Sequence, residues 1–157
     1  MYNIERLIRG YKYLNDTLSY KEYMEYLIKT YNGVLRPDGL YDFPGYVNIS
    51  GQGLNIVPTI FGVVQWDFNC SYNQLKSLEG SPQGIDRNFN CSNNQLESLL
   101  GCPQSVGWNF YCSDNKLKSL EGCPKYVGGN FYCRDNLVQF TEEEVRLRCN
   151  VGGDVHV

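Results

Sequence analysis

Four cysteines recur at an interval of 21 residues and set the strongest constraint on the fold of this chain. They are Cys70, Cys91, Cys112 and Cys133, and each lies in the frame Phe-x-Cys-x-x-Asn. A fixed period near twenty residues is typical of a solenoid, in which each coil packs against its neighbours. A fainter copy precedes Phe68, so the sequence predicts about five coils over residues 46–140.

Within each copy, apolar and polar residues alternate with a period of two. In one copy Phe110 and Cys112 are expected to face inward, whereas Tyr111 between them faces outward. This pattern predicts a short strand with one buried face, and the strands of successive copies then stack in parallel. An asparagine column ends the strands, and we expect its amides to bond to one another and to the loop backbone. The column consists of Asn73, Asn94, Asn115 and Asn136.

Leucines, a glycine and a proline complete each copy. In the same copy Leu117 and Leu120 are expected to turn inward, and Gly122 permits a tight bend. Pro124 then stiffens the return, and Val127 seals the back of the coil. The return is too short to hold a helix.

These residues resemble the leucine-rich repeat family. The pattern Phe110-x-Cys112-x-x-Asn115-x-Leu117-x-x-Leu120 is similar to L-x-x-L-x-L-x-x-N-x-L, with Phe and Cys at strand positions where leucine is usual. The fuller cadence Phe-x-Cys-Ser-x-Asn-x-Leu-x-Ser-Leu-x-Gly-Cys-Pro looks like short leucine-rich repeats common in uncharacterised tailed-bacteriophage proteins. Over residues 46–140, the resemblance implies a leucine-rich-repeat-like β-solenoid that acts as a binding scaffold with no shared chemistry.

The N-terminal segment is expected to cap one open end of the stack, since an uncovered end would aggregate. Residues 3–15 carry apolar side chains at helical spacing, and a second amphipathic helix follows. Ser19 and Glu22 form the capping box of this second helix, and Gly33 ends it. The sequence thus predicts an α-helical hairpin.

The C-terminal segment is expected to cap the other end. A second capping box, Thr141 to Glu144, predicts a short helix through Arg148 over the last coil. The tail after it is expected to add an edge strand. We therefore divide the chain into an N-terminal helical cap and connector, a solenoid and a C-terminal cap, which together form one structural domain. Their bounds are 1–45, 46–140 and 141–157.

Charge and hydropathy argue against several classes of protein. The net charge is −3, whereas a general grip on nucleic acid needs clustered cations. No apolar run approaches the roughly 18 residues of a membrane span, and no signal-peptide stretch follows Met1. We therefore expect no membrane attachment and a cytoplasmic location, which is the host cytoplasm if the chain is phage-encoded.

The seven cysteines are expected to be reduced packing residues rather than ligands. No Cys-x-x-Cys pair occurs, although tetrahedral zinc sites usually draw on such pairs. Cys91 and Cys112 would lie one strand apart in the core, and Cys102 and Cys123 would lie one strand apart at the loop. We predict no disulfide, no metal site and no cofactor.

The sequence also lacks a recognisable catalytic arrangement. His156 is the single histidine and has no evident nucleophile as a local partner. Glu142 and Glu143 fit a helix N-terminus, where negative charge complements the helix dipole. No phosphate-binding glycine loop is present. We therefore predict no catalytic residues and no enzymatic activity.

The outward residues of the strands are the best candidates for a binding site, because they do not fix the fold. Polarity falls and aromatic content rises toward the C-terminal coils. Tyr, Trp and Arg supply much of the binding energy in protein interfaces. The candidates are Trp66, Arg87, Trp108, Asn109, Tyr111, Asp114, Asn130, Tyr132, Arg134 and Asp135. The competing interpretations are a solvated face without a partner, the N-terminal hairpin and the Gly-Pro loop edge.

These features predict a non-enzymatic intracellular protein-interaction module. The phage-like cadence favours an accessory protein that binds a host-encoded partner, such as a defence component. Two alternatives stay open: binding of a nucleotide or single-stranded nucleic acid through the aromatic residues, and a structural role in the virion. A homodimer is a further expectation, because the chain has 13 tyrosines and an exposed strand edge.

Overall fold

The computed structural model describes residues 19–157, and their backbone winds into a parallel β-solenoid of about six turns. Each turn contributes one strand to each of two sheets that run along the stack. In chain order the elements are α1 (Tyr20–Thr30), β1 (Val34–Leu35), β2 (Tyr41–Phe43), β3 (Val47–Asn48), β4 (Phe61–Val64), β5 (Phe68–Asn69), β6 (Gly84–Ile85), β7 (Phe89–Asn90), β8 (Ser105–Val106), β9 (Phe110–Tyr111), β10 (Tyr126–Val127), β11 (Phe131–Tyr132), α2 (Glu142–Arg146), β12 (Asn150–Val151) and β13 (Val155–His156).

The two sheets differ in length by one strand. Sheet A has the strand order β1-β2-β4-β6-β8-β10-β12, and sheet B has the order β3-β5-β7-β9-β11-β13. All neighbours pair in parallel except β1 and β2, which are antiparallel. The turns are numbered here from first to sixth, and each begins with its sheet A strand from β2 onward.

The coil count differs from the expected five, because the C-terminal tail adds a strand to each sheet. β12 pairs with β10, and β13 pairs with β11. The return segment of each repeated copy holds no helix, as expected, and it forms a second strand in each coil. Val127 lies in β10 and pairs with Val106, so the return itself forms the second sheet.

Repeated columns of side chains fill the interior, as the period-two pattern predicted. The rings of Phe68 and Phe89 stack with centroids 5.7 Å apart and planes 9° from parallel. Phe89 and Phe110 repeat this contact at 5.7 Å and 6°. The cysteine column beside them is buried as well. Stacked turns therefore share one continuous apolar core.

The asparagine column forms, but its amides bond backbone groups rather than one another. Asn94 Nδ2 donates to the carbonyls of Cys70, Cys91 and Ser92, at 3.1, 3.1 and 3.2 Å. Its Oδ1 accepts the backbone N–H of Leu75 at 3.0 Å. One amide therefore satisfies backbone groups of two consecutive turns, which removes the need for amide-to-amide bonds.

Helix α1 confirms the second helix of the expected hairpin, including the capping box of Ser19 and Glu22. It ends at Thr30, three residues before the expected Gly33, and Asn32 rather than the glycine adopts the left-handed conformation, with φ 54°. Tyr23 and Leu27 bury one face of the helix against the core. The first predicted helix, residues 3–15, lies outside the described residues.

Helix α2 confirms the C-terminal helix, with Thr141 and Glu144 in a capping box. It ends at Arg146 rather than Arg148. No helix in residues 19–157 is long and apolar enough to cross a membrane. The division into three segments of one domain and the capping role of both ends stay predictions.

Candidate functional site

A column of three side chains lies at the corner between the two sheets and is called here the tryptophan–arginine stack. It consists of Trp66, Arg87 and Trp108. The Arg87 guanidinium carbon lies 4.7 Å from the centroid of the Trp66 ring and 4.9 Å from that of the Trp108 ring. One guanidinium is therefore held between two indole faces, where the ring quadrupoles attract its charge.

Backbone hydrogen bonds align this column. The Arg87 N–H donates to the Trp66 carbonyl at 3.3 Å, and the Trp108 N–H donates to the Arg87 carbonyl at 3.0 Å. The Gly129 N–H continues the series by donating to the Trp108 carbonyl at 2.8 Å. Trp66 and Trp108 keep 47% and 52% of their surface exposed, so the stack is a surface feature and not part of the core.

A second column, the tyrosine–histidine stack, lies on the outward face of sheet B. It consists of Tyr111, Tyr132 and His156. The first two rings stack with centroids 4.7 Å apart and planes 7° from parallel. Tyr132 and His156 stack at 4.3 Å and 3°. All three residues are half-buried, so part of each side chain remains exposed.

Sequence reasoning missed His156 as a site residue, because it considered His156 only as a catalytic residue and gave the expected edge strand of the tail no register. It follows Tyr132 by 24 residues rather than 21, since α2 lengthens that turn. The pairing of β11 with β13 nevertheless places Tyr132 opposite His156. The signal available in the sequence was the apolar alternation of Val155 and Val157, which matches that of Phe131 and Cys133.

Asn109 and Asn130, both candidate site residues, belong to a structural ladder. Asn109 Oδ1 accepts the backbone N–H of Asn130 at 2.8 Å. Asn130 Oδ1 accepts the N–H of Asp154 at 2.9 Å, and its Nδ2 donates to the Tyr132 hydroxyl at 3.0 Å. Their amides therefore connect consecutive turns and orient Tyr132, and a partner would have to compete with these bonds.

Asp114 and Asp135 occupy the sharp turn at the end of the sheet B strands. Both have positive φ, at 54° and 55°. Asn and Asp tolerate this left-handed conformation better than most residues, so their identity has a backbone explanation. Arg134 precedes this turn, is exposed, and donates its backbone N–H to Ser113 Oγ at 3.1 Å.

The cysteines are buried and unpaired, in agreement with the packing interpretation. Burial raises the pKa of Cys91 well above its ordinary value, and the neighbouring Cys112 and Cys70 raise it further. Burial alone raises the pKa of Cys133 to about 11. Within residues 19–157, no group of three or more His, Cys, Asp and Glu side chains is placed to hold a metal ion. The thiols are therefore held in the neutral, poorly nucleophilic form.

Comparison with protein-family models, curated proteins and solved structures finds no match to this chain. The fold and the geometry of the two stacks are therefore the basis for assigning a function.

Proposed function

We propose that this chain is a non-enzymatic protein-interaction module that binds its partner through the tryptophan–arginine and tyrosine–histidine stacks. The observation that carries the proposal is the set of six side chains, Trp66, Arg87, Trp108, Tyr111, Tyr132 and His156, which form two ordered columns on the surface. Rigid aromatic and arginine side chains bury large areas on binding at a small entropic cost.

Shape supports surface recognition rather than enclosure of a small substrate. The depression that Glu142, Glu143, Arg146 and Leu147 form beside α2 is shallow and open to solvent. Small-molecule sites are typically concave and bury most of the ligand. Half-exposed columns of stacked aromatic residues fit a macromolecular partner better.

The resemblance of the repeat cadence to the short leucine-rich repeats of tailed bacteriophages supports a narrower version of the proposal. In this version the chain is a phage accessory protein in the host cytoplasm, and its partner is a host factor such as a defence component. Outward residues of a solenoid vary without disturbing the core, which suits such a role.

Affinity capture from a bacterial lysate tests the proposal. The test variant carries Tyr111→Asn, Tyr132→Asn and Trp108→Leu, which together remove the aromatic side chains that the fourth and fifth turns contribute to the two stacks. The matched control is Tyr72→Asn, because Tyr72 is an exposed tyrosine of the same solenoid outside both stacks. We expect the test variant to lose a specific partner that the control retains. Retention of every captured partner by the test variant would contradict the proposed surface.

Binding of single-stranded nucleic acid is a second candidate, favoured by the nearly parallel rings of Tyr111, Tyr132 and His156. Such rings are sequence-tolerant platforms for bases. Titration with labelled single strands at two salt concentrations tests it, because phosphate-driven affinity falls as salt rises. Absence of binding at low salt would remove this candidate.

A further inference from the structure

We propose that the free face of Trp108 is a binding site for an arginine guanidinium of the partner protein. The inference rests on the proposed function and deepens it, because it names the chemistry recognised at one end of the surface. One face of the Trp108 ring contacts Arg87. The opposite face points along the stack toward the fifth turn, where the equivalent residue is Gly129.

The column itself shows which group it accepts. Arg87 lies 4.7 and 4.9 Å from the two indole centroids, close to the spacing of about 4.8 Å between neighbouring strands. Each turn therefore adds one level to the column, called here a rung. The height of a rung matches the thickness of a stacked guanidinium. Trp66, Arg87 and Trp108 alternate aromatic and cation, and a guest guanidinium above Trp108 would continue this alternation.

Packing restricts residue 129 to glycine, so the rung above Trp108 carries no side chain of its own. A Cβ atom on Gly129 would lie 2.5 Å from Asn109 Oδ1 and 3.0 Å from the Trp108 carbonyl carbon. Gly153, on the next rung, would likewise clash with Asn130 and with the backbone of Gly129. A larger residue cannot enter these positions without displacing the asparagine ladder, so the indole face stays accessible.

At this end of the column the Arg146 guanidinium donates to the Gly153 carbonyl at 2.9 Å but is paired with Glu142, whereas Asp154 forms no ion pair within residues 19–157. The Asp154 N–H donates to Asn130 Oδ1 at 2.9 Å, which fixes Asp154 on the turn that follows Gly129. Its side chain is exposed, so its carboxylate is available to a guanidinium N–H. At the other end of the column, Pro44, Gly45 and Tyr46 carry no charge.

Tryptophan fluorescence tests the site, because Trp66 and Trp108 are the two tryptophans of the chain. Trp66→Phe leaves Trp108 as the sole reporter, and Trp108→Phe leaves Trp66. The probes are acetyl-Gly-Arg-Gly-Arg-Gly-amide, its lysine analogue and AMP. We expect saturable quenching of Trp108 by the arginine peptide, about fivefold weaker binding of the lysine peptide, and no saturable response of Trp66.

Asp154→Asn in the Trp66→Phe background is the matched charge variant, because it keeps the size of the side chain and the backbone hydrogen bond. We expect the arginine peptide to bind it about two- to fivefold more weakly. Indole N–H chemical shifts of the unsubstituted protein provide a second measurement that does not depend on any variant. A shift confined to Trp108 is expected.

Three results would overturn the guanidinium site: no change at Trp108, equal binding of the arginine and lysine peptides, or tighter binding of AMP than of the arginine peptide. Each is distinguishable from failure of the proposed function. A protein partner captured through Tyr111 and Tyr132, with Trp108 unresponsive, would reject this site and keep the function. Binding of the arginine peptide without any captured partner would keep this site and reject the proposed function.

Discussion

Asn94 Oδ1 accepts a hydrogen bond from the backbone N–H of Leu75 at 3.0 Å, which joins the third turn of the solenoid to the turn before it. Asn94 Nδ2 donates to three further backbone carbonyls. Water cannot easily replace these bonds because Asn94 is 8% exposed. We expect Asn94→Ala to lower the free energy of unfolding by about 3 kcal/mol, measured by urea denaturation.

The matched control for this change is Asn136→Ala in the fifth turn. Asn136 makes equivalent bonds to the carbonyls of Cys112, Cys133 and Arg134, but it is only half-buried. Water can therefore satisfy part of what is lost, and the expected cost is about 1 kcal/mol. Equal costs at the two positions would show that burial does not set the strength of this column.

Tyr72 follows β5 at the same left-handed turn position as Asp114 and Asp135, where the backbone of a tyrosine is strained. Its φ is 55°, and 67% of its surface is exposed, so little burial offsets the strain. Asn93 occupies the same position in the next turn with φ 56°. We expect Tyr72→Asn to raise the free energy of unfolding by about 0.5–1 kcal/mol. The reciprocal change Asn93→Tyr should lower it by a similar amount, and urea denaturation of both variants checks the pair.

The buried thiols predict a loss of stability at high pH. Burial raises the pKa of Cys133 to about 11 and that of Cys149 to about 12, from an ordinary value of 9.0. In the unfolded chain these thiols ionise near pH 9, so there the unfolded state binds fewer protons than the native state. The stabilisation is complete below pH 9 and is lost as pH rises toward 11, by about 1.4 kcal/mol per pH unit for each such thiol.

Urea denaturation at several pH values between 7 and 10.5 measures this dependence. Cys133→Ala removes one ionisable group, so the stability of this variant should fall less steeply above pH 9 than that of the unsubstituted protein. All other ionisable groups are the same in the two proteins, so their contributions cancel in the comparison. Identical slopes would mean that Cys133 ionises equally well in the folded chain.

Replacement of Tyr111 by asparagine should preserve the fold. Asn90, the equivalent residue one turn earlier, accepts the N–H of Ser92 with its Oδ1 at 3.0 Å. Tyr111→Asn can form the same bond to Ser113, which offsets the lost stacking with Tyr132. We expect Tyr111→Asn to change the free energy of unfolding by less than about 1 kcal/mol. Tyr111→Ala gains no such bond, so it should lower this free energy more. Thermal unfolding of the two variants tests this difference.

The sequence predicted the repeated core columns and both capped helices, and it missed the last turn and the contacts that run along the stack. The 21-residue period predicted the buried phenylalanine and cysteine columns and the parallel pairing of turns. The sixth turn was missed because α2 shifts Val155 and His156 by three residues from the period. Trp66, Arg87 and Trp108 were chosen from the sequence, but the cation between two indoles became visible only when strand spacing set their distances.

Asp114 and Asn109 show why outward columns are a poor guide to function by themselves. Asp114 adopts positive φ, and Asn109 Oδ1 bonds the next turn. Both residues contribute to the backbone although their positions face away from the core. Periodicity distinguishes buried from exposed residues, but it does not reveal hydrogen bonds that run along the stack.

Arg146 covers the last strand of sheet A, and its removal should loosen the sixth turn alone. Its guanidinium donates to the carbonyls of Val151 and Gly153, both at 2.9 Å, and to Glu142 Oε1 at 2.7 Å. β12 is the last strand of sheet A in the described part of the chain, so no neighbouring strand lies beyond these carbonyls. Arg146→Ala should therefore speed amide hydrogen exchange in β12 and β13 by about tenfold, with little change in the central turns.

The control for this change is Arg148→Ala, because Arg148 is also exposed but its guanidinium donates to the Glu144 carbonyl, at 3.3 Å, and not to the carbonyls of Val151 and Gly153. Its removal leaves the carbonyls of Val151 and Gly153 satisfied, so exchange in β12 and β13 should stay unchanged. Faster exchange throughout the solenoid in Arg146→Ala would instead mean that the turns unfold as one cooperative unit. A local effect would show that the stack frays from this end and that one bidentate arginine holds its last turn in place.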